Sequence, residues 1–519
     1  MGRGALWAGG LVAALLIALN LGTLGAVALR ADAPGRLGAA DWAALRFTLW
    51  QAVVSAGLSV ALAVPVARAL ARRSFPGRAL LITALGAPFL LPTLVAVLGL
   101  LAVFGRGGIV NHGLAAIGLG PVSIYGPQGV ILAHVFFNLP LATRLILQGW
   151  LAIPAERFRL AAALGFGPSE IARHLERPML REVLPGAFLV IFLICLTSFA
   201  VALTLGGGPR ATTVELAIYQ AFRLDFDLGR AALLALIQFG LCAVAAALAW
   251  GVASPAGFGA GLDRPVERRD GGSLMLKAQD VALVALAAAF LLTPLAAVVA
   301  RGLPQITELP APVWQAAGRS LGVALASAGL TIACALALAV AVVRLAPRPR
   351  IAGALEGVGL MALAASPLVI GTGLFLILFP VLRPTAAALP ATALVNAAMA
   401  LPFALRALLP ALREVEATQG RLADSLGLHG LARLRLLILP RLARPLGFAA
   451  GLAAALSMGD LGVIVLFADA QTATLPLQLY RLMGAYRMDD AAGAAFLLLA
   501  ASLTLFWIFD RGGRLGARN

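Results

Sequence analysis

The stretch Arg159-Leu-Ala-Ala-Ala-Leu-Gly165 is followed, thirteen residues after its glycine, by Pro178. The same chain contains Arg421-Leu-Ala-Asp-Ser-Leu-Gly427, again with a proline, Pro440, thirteen residues on. In each copy, residues 155–164 and 417–426 favour a short helix, and the glycine can end it by taking a positive φ. Pro168 suits the first turn of a second short helix, and Pro178 and Pro440 mark the entry to the apolar run that follows. Each copy is expected to be a helix–turn–helix. Arg157, Arg159, Arg173 and Arg177 in one copy, and Arg421, Arg433, Arg435 and Arg441 in the other, hold it at an aqueous surface.

The offset between the copies is 262 residues, and it also places Pro140 on Pro402, Arg144 on Arg406 and Asp227 on Asp489. An offset of 261 aligns Thr213 with Thr474 and Tyr219 with Tyr480. Marks so widely spread relate groups of helices rather than one loop. Between them lie apolar runs near the roughly 20 residues needed to cross a bilayer. The runs are 5–29, 47–70, 79–104, 127–149, 183–205 and 228–253, then 278–300, 320–343, 352–380, 386–409, 446–468 and 490–509. Pro88, Pro92 and Pro367 interrupt the third and ninth runs. The first, Ala5 to about Leu29, exceeds the 7–15 residues usual for a signal-peptide core and reads as a retained helix. Six spans separate equivalent points, so the halves share one orientation. The expected fold is an all-α integral membrane protein of about twelve transmembrane helices in two parallel six-helix repeats.

Composition agrees. Of the 519 residues, 61% are hydrophobic and only 12% charged, and the mean hydropathy is +0.96. A soluble domain keeps roughly a quarter of its residues charged. The net charge of +17 does not indicate nucleic acid, because the cations sit in short loops between apolar runs. With the N-terminus inside, 28 of the 40 Lys and Arg fall in cytoplasmic segments and 12 outside. That bias expects both termini in the cytoplasm of a bacterial inner membrane protein. Residues 254–277, rich in Pro, Gly and charge, read as a cytoplasmic linker between the halves 1–253 and 278–519.

The repeated spacing resembles the EAA loop of ABC-importer permeases: Glu-Ala-Ala, three residues, Gly, nine residues, Ile-x-Leu-Pro. Ala161, Gly165 and Pro178 match it, as do Ala423, Gly427 and Pro440. Arg159 and Arg421 stand where the family has glutamate, and Leu160 and Leu422 where it has the first alanine. The resemblance implies a type I permease fold in which loops 155–182 and 413–444 dock on an ATP-binding subunit, expected in two copies. A periplasmic substrate-binding protein and membrane lipid complete the implied partners. Among fused permeases the chain is most similar to the thiamine and thiamine diphosphate importers, through Ser198–Pro209, Thr212–Gln220 and Leu456–Val463. Fused iron(III) permeases share much of this layout, so iron remains an alternative substrate.

No P-loop frames the sole lysine, Lys277, so no cofactor is expected on this chain and ATP is used by the partner. No catalytic or metal-ligating set is visible. Cys195, Cys242 and Cys334 lie in apolar runs as packing residues, and His112, His134, His174 and His429 are scattered. Within the apolar runs, Asp460, Ser198, His134 and Asn396 are candidates for a translocation path. Asp460 leads them, because a carboxylate in a membrane usually faces a cavity or a partner. It could equally be a cap. His134 and Asn396 occupy equivalent positions and read first as interhelical hydrogen bonders. An ion-coupled secondary transporter is the competing reading from another class.

Overall fold

The computed structural model describes residues 3–32, 37–85, 91–252 and 273–516, and these contain helices and no strand. Most of the 254–277 linker, Pro88 and Asn519 lie outside the described residues. In chain order the first half has α1 (Arg3–Arg30), α2 (Ala39–Arg72), α3 (Arg78–Ala84), α4 (Thr93–Phe104), α5 (Ile109–Ala116) and α6 (Pro127–Ala152). It continues with α7 (Ala155–Ala163), α8 (Pro168–Ile171), α9 (Arg177–Leu196), α10 (Ala200–Leu205), α11 (Val214–Arg223) and α12 (Leu228–Val252). The second half begins with α13 (Leu274–Gly302), α14 (Ala311–Arg344), α15 (Pro349–Leu360), α16 (Pro367–Leu378) and α17 (Pro384–Ser425). It ends with α18 (Gly430–Arg433), α19 (Leu439–Met458), α20 (Ile464–Phe467), α21 (Leu475–Gly484) and α22 (Met488–Gly516).

Among the described residues, eleven helical stretches are long and apolar enough to cross a membrane, and α16 is a shorter apolar helix. The expected spans are corrected in four places. The third divides into α3 and α4, and the ninth into α15 and α16. Proline lacks an N–H and biases the preceding residue away from helix. Pro92 therefore stands as the N-cap of α4, and Pro367 opens α16 behind Ser366, whose Oγ accepts the Val369 N–H at 3.1 Å. The fifth span stops at Leu196 and the eleventh at Met458, each resuming as a short helix. At the second break the Asp460 carboxylate accepts the N–H groups of Gly462 (3.2 Å) and Val463 (3.4 Å), competing with helix for the backbone.

Element lengths recur along the chain. α8, a π-helical turn at Ala172–Glu176 and α9 are followed 262 residues later by α18, a π-helical turn at Leu434–Ile438 and α19. α11 and α21 are both ten residues long and start 261 residues apart. One difference has a plain cause: Pro154 separates α6 from α7, whereas Glu416 at the matching position lets α17 run unbroken for 42 residues.

Helices α1 and α13 each pack on the opposite half. α1 lies against α14 and α16, and α13 against α2 and α4. Both contacts need a missing side chain. A Cβ on Gly373 of α16 would sit 2.4 Å from the Thr23 carbonyl oxygen of α1, and one on Gly99 of α4 would sit 2.6 Å from that of Pro294 in α13. Asp280 near the start of α13 adds a buried ion pair to Arg73 (2.7 Å) at the end of α2. The outer faces of these helices carry exposed leucines such as Leu11, Leu15, Leu286 and Leu292, as a lipid-facing surface does.

Candidate functional site

Two regions collect the residues singled out in the sequence. The first is the pair of elbows. In each, the last turn of helix closes with two backbone bonds: Phe166 N to Ala161 O (2.9 Å) with Gly165 N to Ala162 O (3.2 Å), and Leu428 N to Ala423 O (2.9 Å) with Gly427 N to Asp424 O (3.1 Å). This double closure requires a left-handed residue after the helix. Gly165 has φ +73° and Gly427 φ +68°. Ala161 and Ala423 face inward, each only 3% exposed. Leu160 and Leu164 are 61% and 62% exposed, and their counterparts Leu422 and Leu426 are 62% and 66% exposed. Arg159, Arg421, Pro178 and Pro440 are exposed as well. Each elbow thus offers the same mixed apolar and basic face.

The elbows are anchored differently. In the first, buried Glu176 pairs with Arg68 of α2 (2.8 Å) and accepts the Trp150 indole N–H (3.3 Å). In the second, Arg433 is clamped by Glu416 and Asp424. Burial opposes the Arg433 charge, but these carboxylates outweigh it and hold the guanidinium more firmly protonated than usual. Glu170 on α8 accepts the Gly167 N–H at 2.9 Å. Its carboxyl is held below the usual range, chiefly by its own backbone N–H and then by the Ser169 hydroxyl and Gly167.

The second region is a cavity of about 360 Å³ at the two helix breaks. That volume lies in the range of small-molecule sites, roughly 300–1,000 Å³. Asp460, Ser198 and His134 all line it, so three of the four path candidates meet here. Ser198 and Asp460 are themselves 262 residues apart and occupy matching positions in the two breaks. Phe137, Phe199, Thr93 and Thr197 contribute rings and hydroxyls, and among the described residues no Lys or Arg lines the cavity. His134 shares a hydrogen bond with Ser55 through Nδ1 (3.3 Å), while its Nε2 has no partner. Asn396 is not in the lining. It donates to Ser457 Oγ (3.0 Å) and lies beside the Asp460 carboxylate. Asp460 is therefore both a cap of its turn and a wall of the cavity.

Among the described residues, the one acidic lining residue besides Asp460, Glu215, was not a path candidate, although it lies in the Thr212–Gln220 stretch that carries the family resemblance. Glu215 occupies the first turn of α11, 1% exposed, with neither carboxylate oxygen hydrogen-bonded. The helix is fixed at its start by the Thr213 cap and by Val214 N–H donating to Thr48 Oγ1 of α2 (2.9 Å). Leu475 N–H donates in the same way to Ser320 Oγ at the start of α21 (2.8 Å). Glu215 was outside every expected span. The usable signal was an amphipathic ten-residue run after Gly206-Gly-Gly-Pro209 with a threonine cap. Among the described residues no group of three or more His, Cys, Asp or Glu could hold a metal ion.

No protein-family model matches the chain. Curated relatives do. The chain is 40% identical over 516 residues to the thiamine transport system permease protein ThiP of Brucella abortus, covering 97% of this chain and 94% of that protein. It is 41% identical over 477 residues to the protein of that name from Salmonella typhimurium (91% and 89% covered), and 41% over 481 residues to that of Escherichia coli (91% and 89%). A probable sulfate transport system permease protein of Helicosporidium is 28% identical over 204 residues, 39% of this chain and 75% of that protein.

Proposed function

Because the chain belongs to the family of thiamine transport system permeases, we propose that it is the multi-pass inner-membrane subunit of an ATP-driven importer that admits thiamine or its phosphate esters. In this reading ATP is hydrolysed on a separate chain, and a periplasmic binding protein delivers the substrate. The halves 1–253 and 278–519 act as parallel repeats, joined by the 254–277 linker, with both termini and both elbows in the cytoplasm. Two copies of the ATP-binding subunit dock, one on each elbow.

The observation that carries the docking assignment is the matched exposure of Leu160 with Leu164 and of Leu422 with Leu426. Four leucines left in water at the same place in both copies are costly, at roughly 1.5–3 kcal/mol of unrealised burial each, unless another surface covers them. Arg159 and Arg421 border these patches and favour a partner with acidic rims. Ala161 and Ala423 hold each helix to the bundle, and Gly165 with Pro178, and Gly427 with Pro440, set the turn and the return into the membrane.

The cavity is the proposed path. Thiamine carries a fixed positive charge on one aromatic ring and an amino group on the other. Asp460 supplies attraction for that charge, Phe137 and Phe199 supply ring faces, and Ser198 and His134 supply polar contacts. Asn396 acts behind Asp460. A direct test of docking is cross-linking: single cysteines at Leu160 and Leu422, in the complex with its ATP-binding subunit, should each cross-link to that subunit. If neither does while cysteines on the opposite face do, the docking assignment is wrong.

A further inference from the structure

Glu215 stands apart from the other acidic residues. Asp460 has two backbone N–H donors, and Asp280 and Asp41 have arginines. Glu215 is buried, and among the described residues it has no ion pair and no hydrogen bond of good geometry to either oxygen. Gln238 and Ser366 are its nearest polar neighbours, but neither meets hydrogen-bond geometry with a carboxylate oxygen. Gln238 Nε2 donates to Leu196 O (2.8 Å) and Cys242 Sγ (3.6 Å), and Ser366 Oγ accepts the Val369 N–H, which leaves its O–H as the one nearby donor still free to turn to Glu215. A buried carboxylate in that state costs several kcal/mol until something compensates its charge. The start of α11 offers partial compensation through its backbone dipole, and among the described residues no Lys or Arg lines the cavity. His134, 3% exposed, brings a second unpartnered polar atom, Nε2, to the same walls.

We propose that the cavity is a binding station within the membrane for an aromatic organic cation, with Glu215 as the counter-charge that selects it. The two carboxylates come from opposite halves: the position matching Glu215 in α21 is Pro476, and the position matching Asp460 is Ser198. A cation held between Glu215 and Asp460 therefore bridges the halves and removes the cost of the unpaired charge. A neutral molecule of the same shape gains ring contacts only and leaves Glu215 uncompensated. The permease thereby holds and screens its substrate after the binding protein releases it. This inference rests on the reading of the chain as a thiamine permease.

The test uses the full-length chain in lipid nanodiscs without binding protein, titrated with thiamine and with thiochrome, its neutral fused-ring derivative. Wild type should bind thiamine saturably and at least tenfold more tightly than thiochrome. E215Q should lose at least tenfold in thiamine affinity, keep its weak thiochrome binding, and melt at or above the wild-type temperature, because an amide is cheaper to bury than an unpaired carboxylate. A smaller loss, no thiamine binding by wild type, or a lower melting temperature for ligand-free E215Q each overturns the proposal, the last because it makes Glu215 a structural residue. ATP-driven uptake by the wild-type complex, measured alongside, separates the two readings. Uptake without a Glu215 effect sinks this inference alone, and absence of uptake sinks the transport reading.

Discussion

Replacing Gly165 or Gly427 by valine changes one dihedral requirement and nothing else. A Cβ at either position meets no atom within 4 Å, so the first side-chain carbon meets no crowding. The cost is conformational: an L-residue in the left-handed helical region loses roughly 1–2 kcal/mol, and a β-branched one sits at the upper end. If the turn instead relaxes to negative φ, it forfeits the paired closure of Phe166 on Ala161 and Gly165 on Ala162, two bonds worth about 0.5–1.5 kcal/mol each. The first route disfavours the docking shape by roughly 5- to 30-fold and the second by roughly 5- to 160-fold. Asparagine tolerates positive φ, so the expected order of coupling is glycine, then asparagine, then alanine, then valine. The assay is thiamine-stimulated ATP hydrolysis by the purified complex, with insertion checked by yield and melting temperature. Equal stimulation in the asparagine and valine variants would refute the argument, because strain at φ requires the residue that tolerates positive φ to outperform the one that does not.

Three other outcomes follow from the same structure. Asp460→Asn should reduce thiamine uptake per folded molecule by roughly tenfold to a hundredfold, an electrostatic loss on the order of 1–3 kcal/mol; uptake within twofold of wild type removes Asp460 from the path. Gly373→Ala should destabilise the purified protein by about 1–3 kcal/mol through overpacking against Thr23, whereas Gly353→Ala, whose Cβ meets nothing within 4 Å, should not; equal melting temperatures would contradict the close fit of α1 on the second half. Reporters fused at Gly271 and Asn519 should be active only when they require the cytoplasm, and periplasmic activity at either would reverse the orientation of the elbows.

The elbows were legible because their determinants are local. A glycine that must take positive φ is visible in the sequence itself, and both copies carry it at one spacing. Pro178 and Pro440 were expected to open the following helix, but each lies inside helix that continues from Pro168 or Gly430 across a π-helical turn, because proline fits a helix wherever the turn before it needs no N–H from that position. The membrane helices were legible from length and hydropathy, but their interiors were not. Nothing in an apolar run announces the break at Thr197–Phe199, which contains no proline or glycine. The break after Met458 depends on Asp460 turning back to its own backbone. The cavity was half legible. Asp460 was noticed because a charge inside an apolar run is conspicuous, while Glu215 sat in what read as a loop and became conspicuous only once α11 was seen folded inward. Asn396 shows the converse: its position matched that of His134, yet its amide is turned to Ser457 rather than to the cavity.

The most direct test of the central claim is accumulation of labelled thiamine in proteoliposomes containing this chain, its ATP-binding subunit and the substrate-loaded binding protein. Accumulation should require ATP on the elbow side and all three components, and should persist when proton and sodium gradients are collapsed. Uptake by the chain alone that follows an imposed ion gradient and ignores ATP would contradict the account and identify a secondary transporter instead.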